Sequence, residues 1–367
     1  MGAGCVNVAS YSYPGLGNSA YLVCDEGTGV AAVVDPQRDV DQYVEAAARL
    51  GCRITHAFET HLHNDFVSGG RELATRHGAA LVASAAAGLA FPHLGVRDGD
   101  VVPLGGLRFR VLATPGHTPE HVSYLLDSAE GAGAPILFSG GALMVGTIAR
   151  TDLLGHEHAP GLARDAFHTL HEQLFRLPNP TRVLPTHGGG SFCAGGASAE
   201  RETTIGREQR RNRFAPLTDP EAFVAAALDG LPRYPTYFDR MRALNQRGAP
   251  LLEGLPALPP LSARTIGAFV ADGAVLVDTR ARDRYVAGHV PASLAVPLEP
   301  AFSQWVGWLV PPDRPLLFVL DADPERERIA RELVRIGYDD LRGHLGGGLA
   351  AWKAAGGQVE AEAGVAT

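Results

Sequence analysis

In the stretch Thr60-His61-Leu62-His63-Asn64-Asp65-Phe66, two imidazoles and a carboxylate stand at alternating positions. Residues i, i+2 and i+4 of an extended or turning segment share a side, so these three side chains can converge on one point. Left without partners in a folded interior, each would cost about 1–3 kcal/mol. A metal ion satisfies all three together. For a single histidine a polar surface loop is the ordinary reading, but three ligand-type side chains in five residues outweigh it. Two further segments strengthen the case: Thr114-Pro115-Gly116-His117 and Pro185-Thr186-His187-Gly188 each place a histidine beyond an apolar run, with glycine permitting close backbone approach.

These positions need a scaffold, and the hydrophobic pattern supplies one. Tyr21 to Cys24 and Val30 to Asp35 read as paired strands around the turn Asp25-Glu26-Gly27-Thr28-Gly29. Val40, Tyr43, Val44, Ala47 and Leu50 recur at helical spacing up to Gly51. The strand Ile54 to Phe58 runs into the histidine segment, and the helix-like run Gly69 to His77 leaves it. Further strands are expected at Leu81 to Ala83, Val101 to Pro103, Leu107 to Leu112, Ser123 to Leu126 and Ile136 to Phe138. The alternation predicts a layered α/β sandwich. Ala199 to Gly248 reads as helical and charged, its arginines at 207, 210, 211 and 213 forming a solvated face. Pro256, Pro259 and Pro260 make a stiff spacer.

Read together, the order and spacing of these motifs resemble the metallo-β-lactamase superfamily, with its HxHxDH signature, Pro-Gly-His turn and later strand-end histidine. The resemblance covers roughly residues 5 to 215. The wording Thr60 to Gly70 and Pro185 to Cys193 is most similar to the persulfide dioxygenases and their rhodanese-fused relatives, with glyoxalase II-type thioesterases next. It implies an αββα sandwich over residues 1–215, a helical extension and linker over 216–262, a rhodanese-like α/β domain over 263–357 and a disordered tail over 358–367. Carried over by position, it assigns His61, His63 and His117 to a first metal position and Asp65 and His187 to a second, the last two also acting in catalysis.

Two departures bear on the chemistry. Phe66 stands where the signature has its final histidine, and Gly141 where the family has an aspartate. A two-metal hydrolase is therefore not expected; a single ion is. Asp65 or Asp152 is a candidate replacement for the missing carboxylate, although a turn or helix N-cap aspartate is the stronger reading of Asp152. Glu120 and His121 are either groups that orient a ligand or surface residues. Cys193 is either an auxiliary sulfur acceptor or a packed thiol.

In the carboxy-terminal part, Leu276 to Arg280, Tyr285 to Ser293 and Gly346 to Trp352 resemble rhodanese landmarks. A working rhodanese carries a cysteine after its central strand. Here that strand, Leu316 to Leu320, leads to Asp321-Ala322-Asp323-Pro324, and all four cysteines lie at or before position 193. A persulfide carrier is excluded; covering the catalytic domain, dimerisation or partner binding remains, with Asp321 expected to cap the helix Pro324 to Ile336.

The net charge of −8 over 367 residues speaks against a nucleic-acid partner. No apolar run is long enough to cross a bilayer, and the scattered cysteines suit a reducing compartment, so a cytoplasmic protein without a membrane partner is expected, as a homo-oligomer. The resemblance implies oxidation of a glutathione-like thiol persulfide to sulfite at iron(II). The alternatives are a zinc(II) thioester hydrolase and a non-catalytic binding protein with a degenerate metal site.

Overall fold

The structure is a computed structural model describing residues 6–128, 133–194 and 198–362. It divides into two compact units: residues up to Tyr234 together with Phe238–Leu251, and Pro235–Tyr237 together with Leu252 onward.

In the first unit, one sheet runs in chain order through β1 (Val6–Tyr13), β2 (Asn18–Asp25), β3 (Val30–Val34), β4 (Arg53–Phe58), β5 (Ala80–Ser84) and β6 (Leu94–Val96). β1 to β3 are antiparallel, and β3 to β6 are parallel. The parallel half requires crossovers, and α1 (Asp41–Arg49) and α2 (Gly70–His77) supply two of them. A second sheet contains β7 (Val101–Leu104), β8 (Leu107–Ala113), β9 (Val122–Ser128), β10 (Ile136–Gly140), β11 (Arg182–Pro185) and β12 (Thr203–Thr204). Only its β10–β11 pair is parallel. The helix α3 (Ala159–His168) and a π-type turn, Thr169–Gln173, form that crossover.

The inner faces of the two sheets make one core. Val34 and Phe58 from the first sheet pack with Phe109, Tyr124 and Phe138 from the second, and the Phe58 and Phe109 rings stack 4.5 Å apart. Tyr43, Ala47 and Leu73 cover the outer face of the first sheet. Leu170, Phe167 and Phe223 cover that of the second, the last from α5 (Pro220–Leu228), which follows α4 (Ile205–Arg211). This is the expected αββα sandwich. The charged stretch from Ala199 is broken into α4, α5 and α6 (Phe238–Arg247), and α6 belongs to the first unit. Arg207 pairs with Glu200, and Arg213 lies over the Phe214 ring.

The second unit holds a parallel five-stranded sheet in the order β13-β17-β16-β14-β15, where β13 is Pro260–Leu261, β14 Val275–Asp278, β15 Leu294–Ala295, β16 Leu316–Val319 and β17 Leu341–Leu345. Its helices are α7 (Ala263–Ala271), α8 (Arg282–Ala287), α9 (Phe302–Leu309), α10 (Glu325–Arg335) and α11 (Gly348–Ala354). Part of the expected tail is ordered against this unit: the His289 N–H donates to the Glu360 carbonyl and the Glu360 N–H returns the bond, 2.9 and 3.0 Å. Residues 363–367 of that tail lie outside the described residues.

Candidate metal centre

The histidines gather where strands of both sheets end. His61 and His63 follow β4, His117 follows β8 and His187 follows β11, all of them buried. One nitrogen each of His61, His117 and His187 lies within 4.8 Å of the others, and His63, Asp65 and His187 form a second such group.

His63 stands beside this trio, its ring 4.2 Å from that of His61: its Nε2 is held by Asp35 Oδ1 at 3.2 Å and Glu59 Oε2 at 3.3 Å, and its Nδ1 is buried without a hydrogen-bond partner. Burial alone would depress the His63 pKa, but these two carboxylates hold it up at about 10. Phe66, in place of a further histidine, stacks on the His63 ring at 4.1 Å and is itself buried.

Hydrogen bonds on the far side of each ring set the tautomers of the trio. The Thr60 hydroxyl donates to Asp35 at 2.8 Å and so accepts from His61 Nδ1, also at 2.8 Å. His117 Nδ1 donates to the Arg150 carbonyl at 2.6 Å. His187 Nδ1 faces two acceptors, Asn18 Oδ1 at 3.1 Å and Asp65 Oδ2 at 3.3 Å. All three rings then present a bare Nε2, the arrangement that oriented metal-ligating histidines adopt. The Nε2 atoms of His61 and His187 are 3.2 Å apart, and that of His117 is buried without a hydrogen-bond partner. Two lone pairs facing each other at that distance repel unless a cation lies between them. Ligands bonded at about 2.0–2.1 Å around a tetrahedral ion stand roughly 3.3 Å apart, so the donor set fits a metal. Burial first, then the neighbouring imidazoles, lowers the pKa of His61 well below its ordinary value and that of His117 to about 3, keeping both rings neutral and able to ligate.

The remaining polar groups act as framework. Asp35, with φ of +50° at the end of β3, accepts the Thr60 N–H at 2.7 Å and the hydroxyls of Thr60 and Thr186, tying the loops after β4 and β11 together. His121 is buried between the Thr114 hydroxyl and the Gly141 N–H, which donates to its Nε2 at 3.0 Å. Glu120 takes the Leu62 N–H and a two-pronged bond from Arg242 of α6. From the same helix, Asn245 donates to the carbonyls of His63 and Phe66 and accepts the Ser68 N–H, at 2.8–3.0 Å. Asp152 begins a turn, its carbonyl accepting the Gly155 N–H at 3.2 Å, and does not cap α3, which begins at Ala159; its carboxylate grips the Arg150 side chain with bonds of 2.6 and 2.7 Å. Cys193 is fully buried, and burial raises its thiol pKa well above the ordinary range, so it is a packed thiol. Asp35, Glu59, Asn18, Arg242 and Asn245 escaped the sequence reading; only the position of Asp35 at the end of an apolar strand signalled a role.

Residues 13–187 match the Metallo-beta-lactamase superfamily, and human mitochondrial persulfide dioxygenase ETHE1 is 30% identical over 187 residues, covering 50% of this chain and 68% of that protein. The chain belongs to the metallo-beta-lactamase superfamily. Residues 263–355 match the rhodanese-like domain. The hydroxyacylglutathione hydrolase of Gloeobacter violaceus is 36% identical over 173 residues, 46% of this chain and 63% of that one. Among solved structures, a metallo-beta-lactamase from Staphylococcus aureus superposes with a TM-score of 0.83 at 29% identity, covering 93% of this chain and 98% of its own. ETHE1 from Myxococcus xanthus gives 0.57 at 32% identity, over 65% of this chain and 98% of its own.

Members of this superfamily are metal-dependent enzymes, and the histidine cluster has the donor atoms to hold a metal ion. A Cβ at Gly141 would stand 2.7 Å from His117 Cδ2 and 2.9 Å from the Ala149 Cβ, so any side chain there requires the His117 ring or Ala149 to shift.

In the rhodanese-like domain, the loop after β16 is bonded by the domain's own side chains. Glu325 Oε2 accepts the backbone N–H groups of Asp321 and Ala322 at 3.1 and 3.3 Å, in the loop where a sulfur anion would need them. Asp321 does not cap α10, whose N-cap position is Pro324; it accepts from Arg284 at 2.7 Å.

Proposed function

We propose that this protein holds a single iron(II) ion on His61, His117 and His187 and oxidises a low-molecular-weight thiol persulfide. The observation that supports this most is the convergence of three imidazole nitrogens with no carboxylate among them, a donor set for one ion with open positions. A two-metal hydrolytic centre finds no bridging carboxylate at Gly141. The balanced reaction is RSSH + O2 + H2O → RSH + SO3²⁻ + 2H⁺: the S–S bond breaks, the outer sulfur leaves as sulfite, and four electrons pass to dioxygen. When bound, the metal ion brings sulfur and dioxygen together and supplies the electrons that start their reaction.

The chain's own residues position and insulate. Thr60, Arg150 and Asn18 fix the three rings. Asp65 lies against His187; burial would raise its carboxyl pKa, but His187 holds it down at about 2, so Asp65 remains anionic. A group of that pKa is a poor proton acceptor near neutrality, and its part is to balance the ion's charge through His187. His63, locked between Asp35 and Glu59, stabilises the fold behind the trio.

Glutathione persulfide added to protein loaded anaerobically with iron tests this: dioxygen uptake matched one to one by sulfite is expected, and metal-loaded protein that consumes none refutes it. The likeness to hydroxyacylglutathione hydrolases supports a second reading, a zinc thioester hydrolase, for which thioester cleavage dependent on His117 is the corresponding signal.

A further inference from the structure

A cleft opens on the side of the histidine loop that faces β5 and α6. Half-exposed Leu89 and Phe91 stand at its outer end, buried Leu81 and Ala83 form its wall, and Leu62 with the rings of His61 and His63 closes the inner end. The outer end is tight: a Cβ at Gly248 would already stand 3.0 Å from both Arg71 Nη1 and Phe91 Cδ1.

Apart from the buried Nδ1 of His63 at the inner end, most polar groups along the cleft are spent on one another. Arg71 donates to the Ala249 carbonyl and lies over the Phe91 ring. Glu120 is engaged by Arg242 and the Leu62 N–H, and Asn245 by His63, Phe66 and Ser68. Ser68 bonds Glu59 through its hydroxyl, which also accepts the Gly70 N–H. A peptide-like thiol entering here would lose its hydration and gain little in exchange, a penalty of several kcal/mol for a charged or amide-bearing ligand. A small apolar molecule loses nothing, and apolar cavities take up such gases readily.

We propose that this cleft is the route by which dioxygen reaches the histidine cluster, separate from the entry of the polar thiol persulfide. The inference rests on the oxidative reading above and adds a path for one of its two substrates.

Xenon, an apolar gas of similar bulk, probes the cleft without turnover. Crystals of the full chain under xenon pressure are expected to show xenon between Leu81, Ala83 and Leu62. Leu89→Trp, at the half-exposed outer end, is expected to raise the KM for dioxygen about tenfold while leaving kcat at saturating dioxygen and the KM for persulfide unchanged. Ala83→Leu, which fills the wall, is expected to expel the xenon; should it fail to fold, Leu89→Trp carries the kinetic test alone. Wild-type dioxygen uptake combined with an empty cleft under xenon, or with an unchanged KM for dioxygen in Leu89→Trp, overturns the route and leaves the oxidative reading standing. No dioxygen uptake by the iron-loaded wild type removes the reading and the route with it.

Discussion

The two halves of the chain treat their polar groups in opposite ways. In the amino-terminal unit, three histidine nitrogens are stripped of water, fixed in one tautomer from behind and left facing a common point with nothing of the protein's own to bind. In the rhodanese-like unit, the backbone N–H groups that would cradle a sulfur anion are taken by Glu325, and the position for the sulfur carrier is an aspartate bonded to Arg284. Burial of an unpaired polar atom costs free energy, and a fold retains it where a ligand repays that cost. Self-satisfied groups mark a site that has stopped binding. By this measure the unmet demand for a ligand lies at the histidine cluster and not in the loop after β16.

The contrast can be broken from the metal side first. His117→Ala removes a ligand whose Nε2 has no other partner, and bound metal is expected to fall from one ion per chain to none, read by elemental analysis after dialysis. Gly141→Ala puts a methyl against His117 Cδ2, and a loss of about 10–100-fold in metal affinity is expected from the displaced ring, measured by competition with a chelator. Asn245→Ala leaves two carbonyls and one N–H of the His63–Ser68 segment without their bonds; a loss of about 1–3 kcal/mol is expected in urea unfolding of the metal-free protein.

A pH titration of the metal-free protein sharpens the same boundary. The folded pKa of His63 lies at about 10, above its ordinary 6.5. Its contribution to stability is therefore complete below pH 6.5 and is lost as pH rises through about 10, a slope that His63→Gln should abolish. The smallest effect belongs to the other half. Glu325→Gln, at the first residue of α10, is expected to leave metal content untouched and unfolding within about 0.5 kcal/mol of wild type. A clear change in metal binding there would show that the rhodanese-like unit is no bystander.

The strands and crossovers could be read from alternation and glycine placement because each obeys a local rule, as at β4, whose apolar run ends at the histidine segment. Which residues gather at the site was readable too, but not the bonds that hold each of them. Spacing of i, i+2 and i+4 puts His61 and His63 on one side of a strand, and their rings stand 4.2 Å apart, but Asp35, twenty-eight residues from His63, decides which nitrogen of that ring is taken. No local pattern announces a bond of that span. The same limit hid Asn245 and Arg242, which reach the centre from α6, and β1, whose half-buried residues carry a weak alternation.

The account stands most directly on the number of ions and the atoms that hold them. X-ray absorption and metal analysis of protein purified and loaded without oxygen should find one ion per chain with three imidazole nitrogens in its shell, reduced in number by His187→Ala and preserved in His63→Gln. Two ions per chain, or one whose shell loses a nitrogen in His63→Gln and none in His187→Ala, would contradict it.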